Sequence, residues 1–306
     1  MNAIAIHCLP EGAADARRLA ACLAAPCHEM AIHAFPDGEL RVTAWPAAAV
    51  SIVYAPLDRP NDKLLALLFA AESLRRNGCR RLVLVAPYLC YMRQDTAFHH
   101  GEAISQKVVG QLIARNFDRL ITVDAHLHRT ARLSDVCPGI EADNLSAMPA
   151  IAKYLRAGSF DPETIVVGPD AESRPWVNEL GASLGVSCTV ARKTRLGDRS
   201  VAIALDDPKI LEGRPALLVD DIVSSGGTMQ SCARAVIAAG ATSVDAIVTH
   251  ALFPPELVAD FAKSGIRSVR STTSVPHVTA AIALDQILSD ALQPELAAAR
   301  TGGMPS

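Results

Sequence analysis

The sequence has little net charge: 29 lysines and arginines against 32 aspartates and glutamates leave a formal charge of −3. Proteins whose main partner is a nucleic acid usually carry a strongly basic face, which binds the phosphate backbone. Nothing in this charge balance indicates such a face. We therefore expect no nucleic-acid partner.

Long hydrophobic runs are also missing. The richest apolar run, residues 64–71, is much shorter than the roughly 20 residues that a membrane-spanning helix needs. The start of the chain, MNAIAIHCLPEG, lacks the basic region and long apolar stretch of a signal peptide. The eight cysteines include no Cys-x-x-Cys pair, which predicts reduced thiols rather than a disulfide framework. We expect a cytoplasmic protein without a membrane partner.

The Walker-type phosphate loop, Gly-x-x-x-x-Gly-Lys-Ser/Thr, is absent too, but a different anion-binding pattern occupies residues 215–229, PALLVDDIVSSGGTM. An apolar run at 216–219 is typical of a buried parallel strand, and Asp220 and Asp221 follow where it would end. The loop at 224–228, SSGGT, has glycines that let the backbone approach an anion, ahead of a predicted helix from Met229. The stretch predicts a phosphate site, although an ordinary strand–turn–helix with a solvated acidic end is the simpler alternative.

The order of apolar runs predicts an α/β fold. Short apolar strands alternate with helical segments of a dozen or so residues, which is typical of parallel sheets covered by helices. Residues 165–170 repeat the pattern of 82–88: an apolar strand, a proline and a polar loop. This repetition and the length favour two domains of about 150 residues, 1–145 and 146–306. The Ala/Gly/Pro-rich tail from residue 294 is expected to fray.

Residues 215–229 resemble the 5-phosphoribosyl 1-diphosphate (PRPP) motif of type I phosphoribosyltransferases and PRPP synthetases. Five more segments, in chain order, resemble motifs of one family, the ribose-phosphate pyrophosphokinases or PRPP synthetases. These are FPDGEL at 35–40, PYLCYMRQD at 87–95, VDAHLH at 123–128, GPDAES at 168–173 and RKTR at 192–195. The resemblance implies two tandem type I phosphoribosyltransferase-like domains, each a mainly parallel sheet covered by helices. It is closer to archaeal-type members than to the common bacterial type.

The resemblance also implies an activity. Members of the family pass the β,γ-diphosphoryl group of ATP to the anomeric hydroxyl of ribose 5-phosphate, with Mg²⁺ as cofactor and AMP as the second product. Such a reaction depends mainly on positioning and on neutralising charge. The family's 35–40 loop reaches the nucleotide of a neighbouring subunit, which implies a homo-oligomer built from dimers, up to a hexamer.

Site residues follow from the same resemblance. It assigns catalysis to Lys193 and Arg195, which alternate along an extended segment and so share a face. It assigns ATP binding to Phe35, Asp37, Gly38, Glu39, Arg93 and Gln94. It assigns ribose 5-phosphate binding to Arg195, Asp220, Asp221, Ser224, Ser225, Gly226, Gly227 and Thr228, and magnesium binding to His126 and Asp170.

Several of these residues have plainer interpretations. The basic segment 192–199 is an ordinary solvated loop if the resemblance is set aside. Phe35 is a candidate for stacking on adenine, although a phenylalanine beside a hairpin more often belongs to the core. His126 alone would be a buried or hydrogen-bonded histidine. With His128 it also suggests zinc, which is the weaker hypothesis because no cysteine partner is near in sequence.

The chain departs from the family pattern at two loops. The segment 224–228 lacks a carboxylate that common bacterial members carry beside the 5-phosphate. Ala171, Glu172 and Ser173 stand where the family's diphosphate loop has glycines. Because Glu172 would repel a diphosphate unless Mg²⁺ intervenes, it stays open whether this loop binds the diphosphate.

Two other functions compete with synthesis of PRPP. A phosphoribosyltransferase that consumes PRPP would explain residues 215–229 but not Arg93, Gln94, Lys193 or the second α/β unit. A non-catalytic regulatory homologue would bind nucleotides and partner subunits, but would not need to keep Lys193, Arg195, His126 and Asp170 together.

Overall fold

A computed structural model describes residues 3–195 and 201–301, without the side chains of residues 193–195, 201, 202, 300 and 301. The chain forms two compact units. The first comprises the described residues up to Leu145, Ser274–Pro276 and those from Leu284 onward. The second comprises Ser146–Thr273 and His277–Ala283.

The first unit is built on six parallel strands in the order β2-β1-β5-β6-β7-β8. These strands are β1 (Ile4–Cys8), β2 (Cys27–Glu29), β5 (Val50–Tyr54), β6 (Arg81–Ala86), β7 (Arg119–Val123) and β8 (Glu141–Leu145). The helices between them are α1 (Ala13–Leu23), α2 (Pro60–Arg76), α3 (Ser105–Asn116) and α4 (Leu133–Val136). An antiparallel hairpin of β3 (Ala31–Ala34) and β4 (Leu40–Thr43) lies between β2 and β5 in sequence.

The central strands of this sheet are buried along their whole length, as in β5, β6 and β7. Continuous apolar runs of this kind suit parallel strands, which helices cover on both faces. Helix α2 starts at Pro60. Proline fits the first helical position because an N–H group there would have no partner within the helix.

The C-terminal residues pack in the first unit, whereas the sequence had placed them in the second domain. They form α9 (Asp285–Ala291) and α10 (Gln293–Thr301), so the fraying predicted from residue 294 is wrong as far as Thr301. Glu295 of α10 is fully buried. Its carboxylate accepts hydrogen bonds from Arg81 and Arg119, the first residues of β6 and β7.

The second unit contains a seven-stranded sheet in the order β11-β10-β9-β12-β13-β14-β15. Its strands are β9 (Ile165–Gly168), β10 (Cys188–Arg195), β11 (Val201–Leu205), β12 (Pro215–Val223), β13 (Ser243–Ala251), β14 (Ile266–Thr272) and β15 (Ala280–Ile282). Its helices are α5 (Met148–Ala157), α6 (Arg174–Leu184), α7 (Gly227–Ala238) and α8 (Leu257–Lys263). Among the described pairings of this sheet, that of β10 with β11 is antiparallel and the others are parallel. The α/β class with mainly parallel sheets, expected from the sequence, is confirmed.

The cysteines and helices also bear on the sequence-based expectations. All eight cysteines fall in the described part of the chain and are free thiols, as expected. Within the described ranges, none of the helices is long and apolar enough to cross a bilayer.

Candidate active site

In the first unit, the segments that follow β6 and β7 meet at one edge of the sheet, because these strands are parallel neighbours. Asp95 ends the 87–95 segment, and its side chain is only 1 % exposed. It accepts hydrogen bonds from the backbone N–H of Arg129, at 3.0 Å, and from Nη1 of the same residue, at 2.9 Å. Asp95 therefore fixes the segment of Arg93 and Gln94 to the loop after β7. Asp95 is the last residue of the 87–95 motif, but the sequence did not predict that it would bind the loop after β7.

Arg93 lies in the segment after β6, and His126 lies in the loop after β7. Arg93 is exposed and Gln94 is half-buried, with its Oε1 accepting a hydrogen bond from Ser105 at 3.1 Å. The loop after β7 begins at Asp124, a buried residue with φ of +39°. Left-handed backbone at a residue other than glycine is uncommon and concentrates at functional sites. This conformation turns the chain toward His126, which is half-buried.

His126 and His128 lie in the loop after β7, because that strand already ends at Val123. The two imidazole rings stack with their centroids 6.2 Å apart. His128 is exposed, whereas His126 is partly covered. The arrangement follows from the loop geometry rather than from strand periodicity.

The turn of the β3–β4 hairpin carries the predicted nucleotide residues Asp37, Gly38 and Glu39, and all three are exposed. The turn is closed by a hydrogen bond from the N–H of Phe35 to the carbonyl of Glu39, at 2.8 Å. Phe35 is 38 % exposed, with its ring against His33 and 6.0 Å from the guanidinium of Arg41. The core interpretation of Phe35 is therefore wrong within this unit.

In the second unit, β12 runs further than the sequence predicted and includes the acidic pair. Asp220 pairs with Val248 and Ile222 with His250 of β13, so the strand continues to Val223. Successive strand residues point to opposite faces of a sheet, so the side chains of Asp220 and Asp221 meet different surroundings. Asp221 is only 4 % exposed, whereas Asp220 is half-buried. Of the two, Asp220 is better placed to meet a ligand.

The predicted phosphate segment, residues 224–228, comprises the loop after β12 and the first two residues of α7, which starts at Gly227. Gly226 is the N-cap residue and has φ of +72°, a conformation that glycine adopts without strain. Because glycine has no side chain, it leaves the first N–H groups of α7 without a side-chain cap. Uncapped amides at a helix N-terminus, with the helix dipole behind them, form a ready site for a phosphate.

The loop after β9 is closed by its own side chains. Oδ1 of Asp170 accepts hydrogen bonds from the N–H groups of Glu172, at 3.1 Å, and Ser173, at 3.3 Å. The hydroxyl of the buried Ser173 donates to the carbonyl of Asp170 at 2.6 Å. The amides that glycines would present to a diphosphate are thus engaged by Asp170. This loop is unlike an open anion cradle.

Asp170 and Asp220 lie on neighbouring strand ends, since β9 pairs with β12. The thiol of Cys232 on α7 is buried, and this burial raises its pKa to about 12. The negative charges of Asp220 and Asp170 raise the pKa further, so both carboxylates lie near this thiol. Carboxylate oxygens gathered at one edge match the preference of Mg²⁺, which keeps several waters and needs few protein ligands. The described donors therefore fit a magnesium ion.

Lys193 and Arg195 lie on β10, opposite Ile203 and Val201 of β11. Their backbone extends the strand that runs beside β9, so it starts from the same edge as Asp170. Their side chains lie outside the described part of the structure. The backbone of Lys193 and Arg195 is therefore extended, as the sequence predicted, and belongs to a β-strand rather than to a solvated loop.

Comparison with known proteins places this fold in a family. A family model described as the N-terminal domain of ribose phosphate pyrophosphokinase matches residues 6–116, and one described as a phosphoribosyl transferase domain matches residues 144–272. A ribose-phosphate pyrophosphokinase of Methanopyrus kandleri is 34% identical over 87% of this chain and 91% of its own length. One from Brucella melitensis is 34% identical over 72% of this chain and 70% of its own.

A solved structure has the same fold. The crystal structure of phosphoribosylpyrophosphate synthetase from Mycobacterium smegmatis aligns with a TM-score of 0.83 and 22% identity, covering 99% of this chain and 100% of that one. The resemblance drawn from the motifs, including its lean toward archaeal members, is confirmed. The chain belongs to the ribose-phosphate pyrophosphokinase family.

Proposed function

We propose that the protein is a ribose-phosphate pyrophosphokinase, which makes PRPP and AMP from ATP and ribose 5-phosphate. The observation that carries this proposal is the edge of the second sheet, where Asp220 stands beside the uncapped N-terminus of α7. A phosphoribosyltransferase would share that edge. A phosphoribosyltransferase activity would not explain why residues 6–116 match the N-terminal domain of ribose phosphate pyrophosphokinase.

The second unit binds the sugar phosphate in this proposal. The amides of residues 224–228 hold the 5-phosphate, and the serine and threonine hydroxyls of this loop add donors. Asp220 accepts hydrogen bonds from the ribose hydroxyls. Asp221, which is buried on the opposite face, supports the strand rather than the ligand.

The first unit binds ATP. Arg93 supplies a planar fork for phosphate oxygens, and Gln94 is oriented by Ser105 beside it. The exposed turn of Asp37, Gly38 and Glu39, with Phe35 at its base, serves the nucleotide of a neighbouring subunit. The active form is therefore a homo-oligomer built from dimers, up to a hexamer. It acts in the cytoplasm.

We assign His126 in the first unit and Asp170 in the second as magnesium ligands, each of which would hold the ion together with phosphate oxygens of ATP. When bound, the ion would supply positive charge that offsets the charge of the polyphosphate. Asp170 also uses Oδ1 to order its own loop, which fixes the position of the carboxylate.

The transfer itself needs positioned groups rather than covalent catalysis by the protein. The anomeric oxygen of ribose 5-phosphate bonds to the β-phosphorus, and the bond from that phosphorus to the oxygen bridging the α-phosphate breaks. AMP leaves with the bridging oxygen, and the hydroxyl proton passes to water. Lys193 and Arg195 stabilise the charge that develops on the transferred group and the leaving oxygen.

The test is an assay for AMP and PRPP with ATP, Mg²⁺ and ribose 5-phosphate. AMP formation that depends on the sugar phosphate supports the proposal. Production of a nucleotide from PRPP and a base would support a phosphoribosyltransferase instead, and binding without turnover would indicate a regulatory homologue.

Lys193→Ala tests the catalytic assignment. We expect kcat to fall by about 100-fold or more, because one preorganised cation is lost from the transition state, while ATP binding changes little. Lys209→Ala, at an exposed lysine of the same unit, is the matched control and keeps wild-type turnover. Near-normal turnover by the Lys193 variant contradicts the assignment.

A further inference from the structure

Three charged side chains meet beside the candidate site in the second unit. Asp206 accepts a hydrogen bond from Nη2 of Arg174 at 2.6 Å. It also takes both Nε of Arg192, at 2.5 Å, and Nη2 of Arg192, at 3.2 Å. Hydrogen bonds from Arg174 and Arg192 hold the pKa of Asp206 below its usual range, so the carboxylate is ionised at neutral pH.

The three residues come from three different elements. Arg174 is the first residue of α6, directly after the loop that carries Asp170. Arg192 precedes Lys193 on β10. Asp206 follows the last residue of β11, and its N–H donates to the carbonyl of Val190 at 3.1 Å.

The end of β10 projects past its parallel neighbour. Strand β9 pairs with β10 only as far as Gly168 and Val190, and residues 191–195 then pair with β11 alone. A two-stranded ribbon is marginally stable unless something else packs against it. The direction in which this ribbon points therefore depends on contacts at its base, and the ion pairs of Asp206 are contacts of that kind.

We propose that Asp206 is a positioning residue: by holding Arg174 and Arg192 together, it ties the ribbon that carries Lys193 to the loop that carries Asp170. This inference rests on the proposed function, because Lys193 matters only if the transfer occurs. Isolated exposed ion pairs add little to stability, but a carboxylate shared between two guanidiniums, one of them bidentate, has a restricted geometry. Small displacements of a catalytic group slow reactions far more than they destabilise folds.

Hydrogen exchange tests the anchoring without any need for activity. In Asp206→Asn, the amides of 188–195 and 203–205 should exchange at least about threefold faster than in the wild type, because local opening costs less. Asp207→Asn is the matched control: it removes the neighbouring carboxylate, which has no ion pair with the described side chains. Equal exchange in the two variants overturns the proposal.

Kinetics test the consequence for catalysis. We expect Asp206→Asn to lower kcat by about tenfold with little change in the KM for ATP or ribose 5-phosphate, because positioning rather than binding is lost. Arg192→Met should lower kcat as well, and the double variant should be no slower than Asp206→Asn alone, since both remove one link. Additive losses, or a fall in kcat no larger than that of Asp207→Asn, overturn the proposal.

The two hypotheses fail in different ways. If the wild-type protein forms no AMP from ATP and ribose 5-phosphate, the proposed function is wrong, whatever the exchange data show. If the wild type is active but Asp206→Asn matches it in exchange and in kcat, the proposed function stands and Asp206 is an ordinary surface carboxylate.

Discussion

His7 is a fully buried titratable residue in the middle of a parallel sheet. It lies on β1 opposite His28 of β2 and Val53 of β5. Neither of its ring nitrogens has a hydrogen-bond partner among the described residues, and its ring centroid is 5.6 Å from that of His28. Burial, together with the nearby His28, lowers the pKa of His7 to about 4. The folded state thus holds a neutral imidazole.

This residue makes the fold sensitive to acid. As the pH falls from about 6.5 toward about 4, the unfolded chain binds a proton at His7 that the folded chain does not, so stability is lost at roughly 1.4 kcal/mol per pH unit. His7→Leu removes this loss, and its free energy of unfolding should fall less between pH 7 and pH 5. Urea titrations at both pH values measure it. As the control, the variant His100→Gln at an exposed histidine should lose as much stability between pH 7 and pH 5 as the wild type. If the His7 variant also loses as much, His7 is not the cause of the acid sensitivity.

Gly226 and Gly227 are adjacent but differ in what they tolerate. A Cβ at Gly226 would lie 2.7 Å from Cδ2 of Leu257 and 2.7 Å from Cε1 of Phe261, and its φ is +72°. A Cβ at Gly227 would meet nothing within 4 Å. Gly226→Ala should therefore lower the free energy of unfolding by about 1–3 kcal/mol, whereas Gly227→Ala should leave it unchanged. Thermal unfolding of both variants measures this, and an equal Tm contradicts the clash.

At the scale of elements, α10 closes the first sheet at the edge where β6 and β7 begin. The carboxylate of Glu295 accepts from Nε of Arg81 at 2.7 Å and from Nη1 of Arg119 at 3.0 Å. Both arginines are nearly buried, and each also pairs with an acidic residue of β8, Glu141 or Asp143. The helix is therefore held by a fully buried carboxylate and two guanidiniums that are almost inaccessible to water.

Glu295→Gln should be severely destabilising. It removes the fully buried counter-charge of two buried guanidiniums, which keep the part-exposed Glu141 and Asp143 as partners, and breaking a buried ion pair from one side costs up to about 3–5 kcal/mol. Asp290→Asn, at an exposed carboxylate of α9, is the matched control with the same loss of charge. Denaturant titrations compare them, and a Glu295 variant as stable as the control contradicts the prediction.

Local sequence patterns predicted most elements, because strand and helix formation follow from periodicities within a dozen residues. They failed where the partner is distant in the chain. The residues that bury Glu295 are 214 and 176 positions away, so an Ala/Gly/Pro-rich tail gave no sign of an ordered helix. Likewise, the motifs identified Asp95 and Asp170, but not that Asp95 would bind Arg129 or that Asp170 would close its own loop.

At the scale of the whole molecule, charge decides how a polyphosphate can be bound. The chain carries a net charge of −3, and the edge of the second unit gathers Asp170, Glu172 and Asp220 near the proposed phosphate site. These carboxylates repel ATP and the sugar phosphate alike. We therefore expect the substrates to need a divalent cation in order to bind.

Removing the metal should stop the reaction without unfolding the protein. With EDTA in excess we expect no AMP formation, and added Mg²⁺ should restore it. Without substrates, the Tm should be the same in EDTA and in Mg²⁺, because the ion is held mainly by phosphate oxygens. Turnover in EDTA, or a Tm that falls in EDTA, contradicts this.

The position of Glu295, 214 and 176 residues after the two arginines that it binds, has a consequence for biosynthesis. A ribosome releases Arg81 and Arg119 long before it adds the residue that neutralises them, so the half of the protein made first is the half completed last. Until Glu295 is added, Arg81 and Arg119 have Glu141 and Asp143 as acidic partners but lack the fully buried carboxylate. A chain that stops before Glu295 should therefore form a less stable first unit.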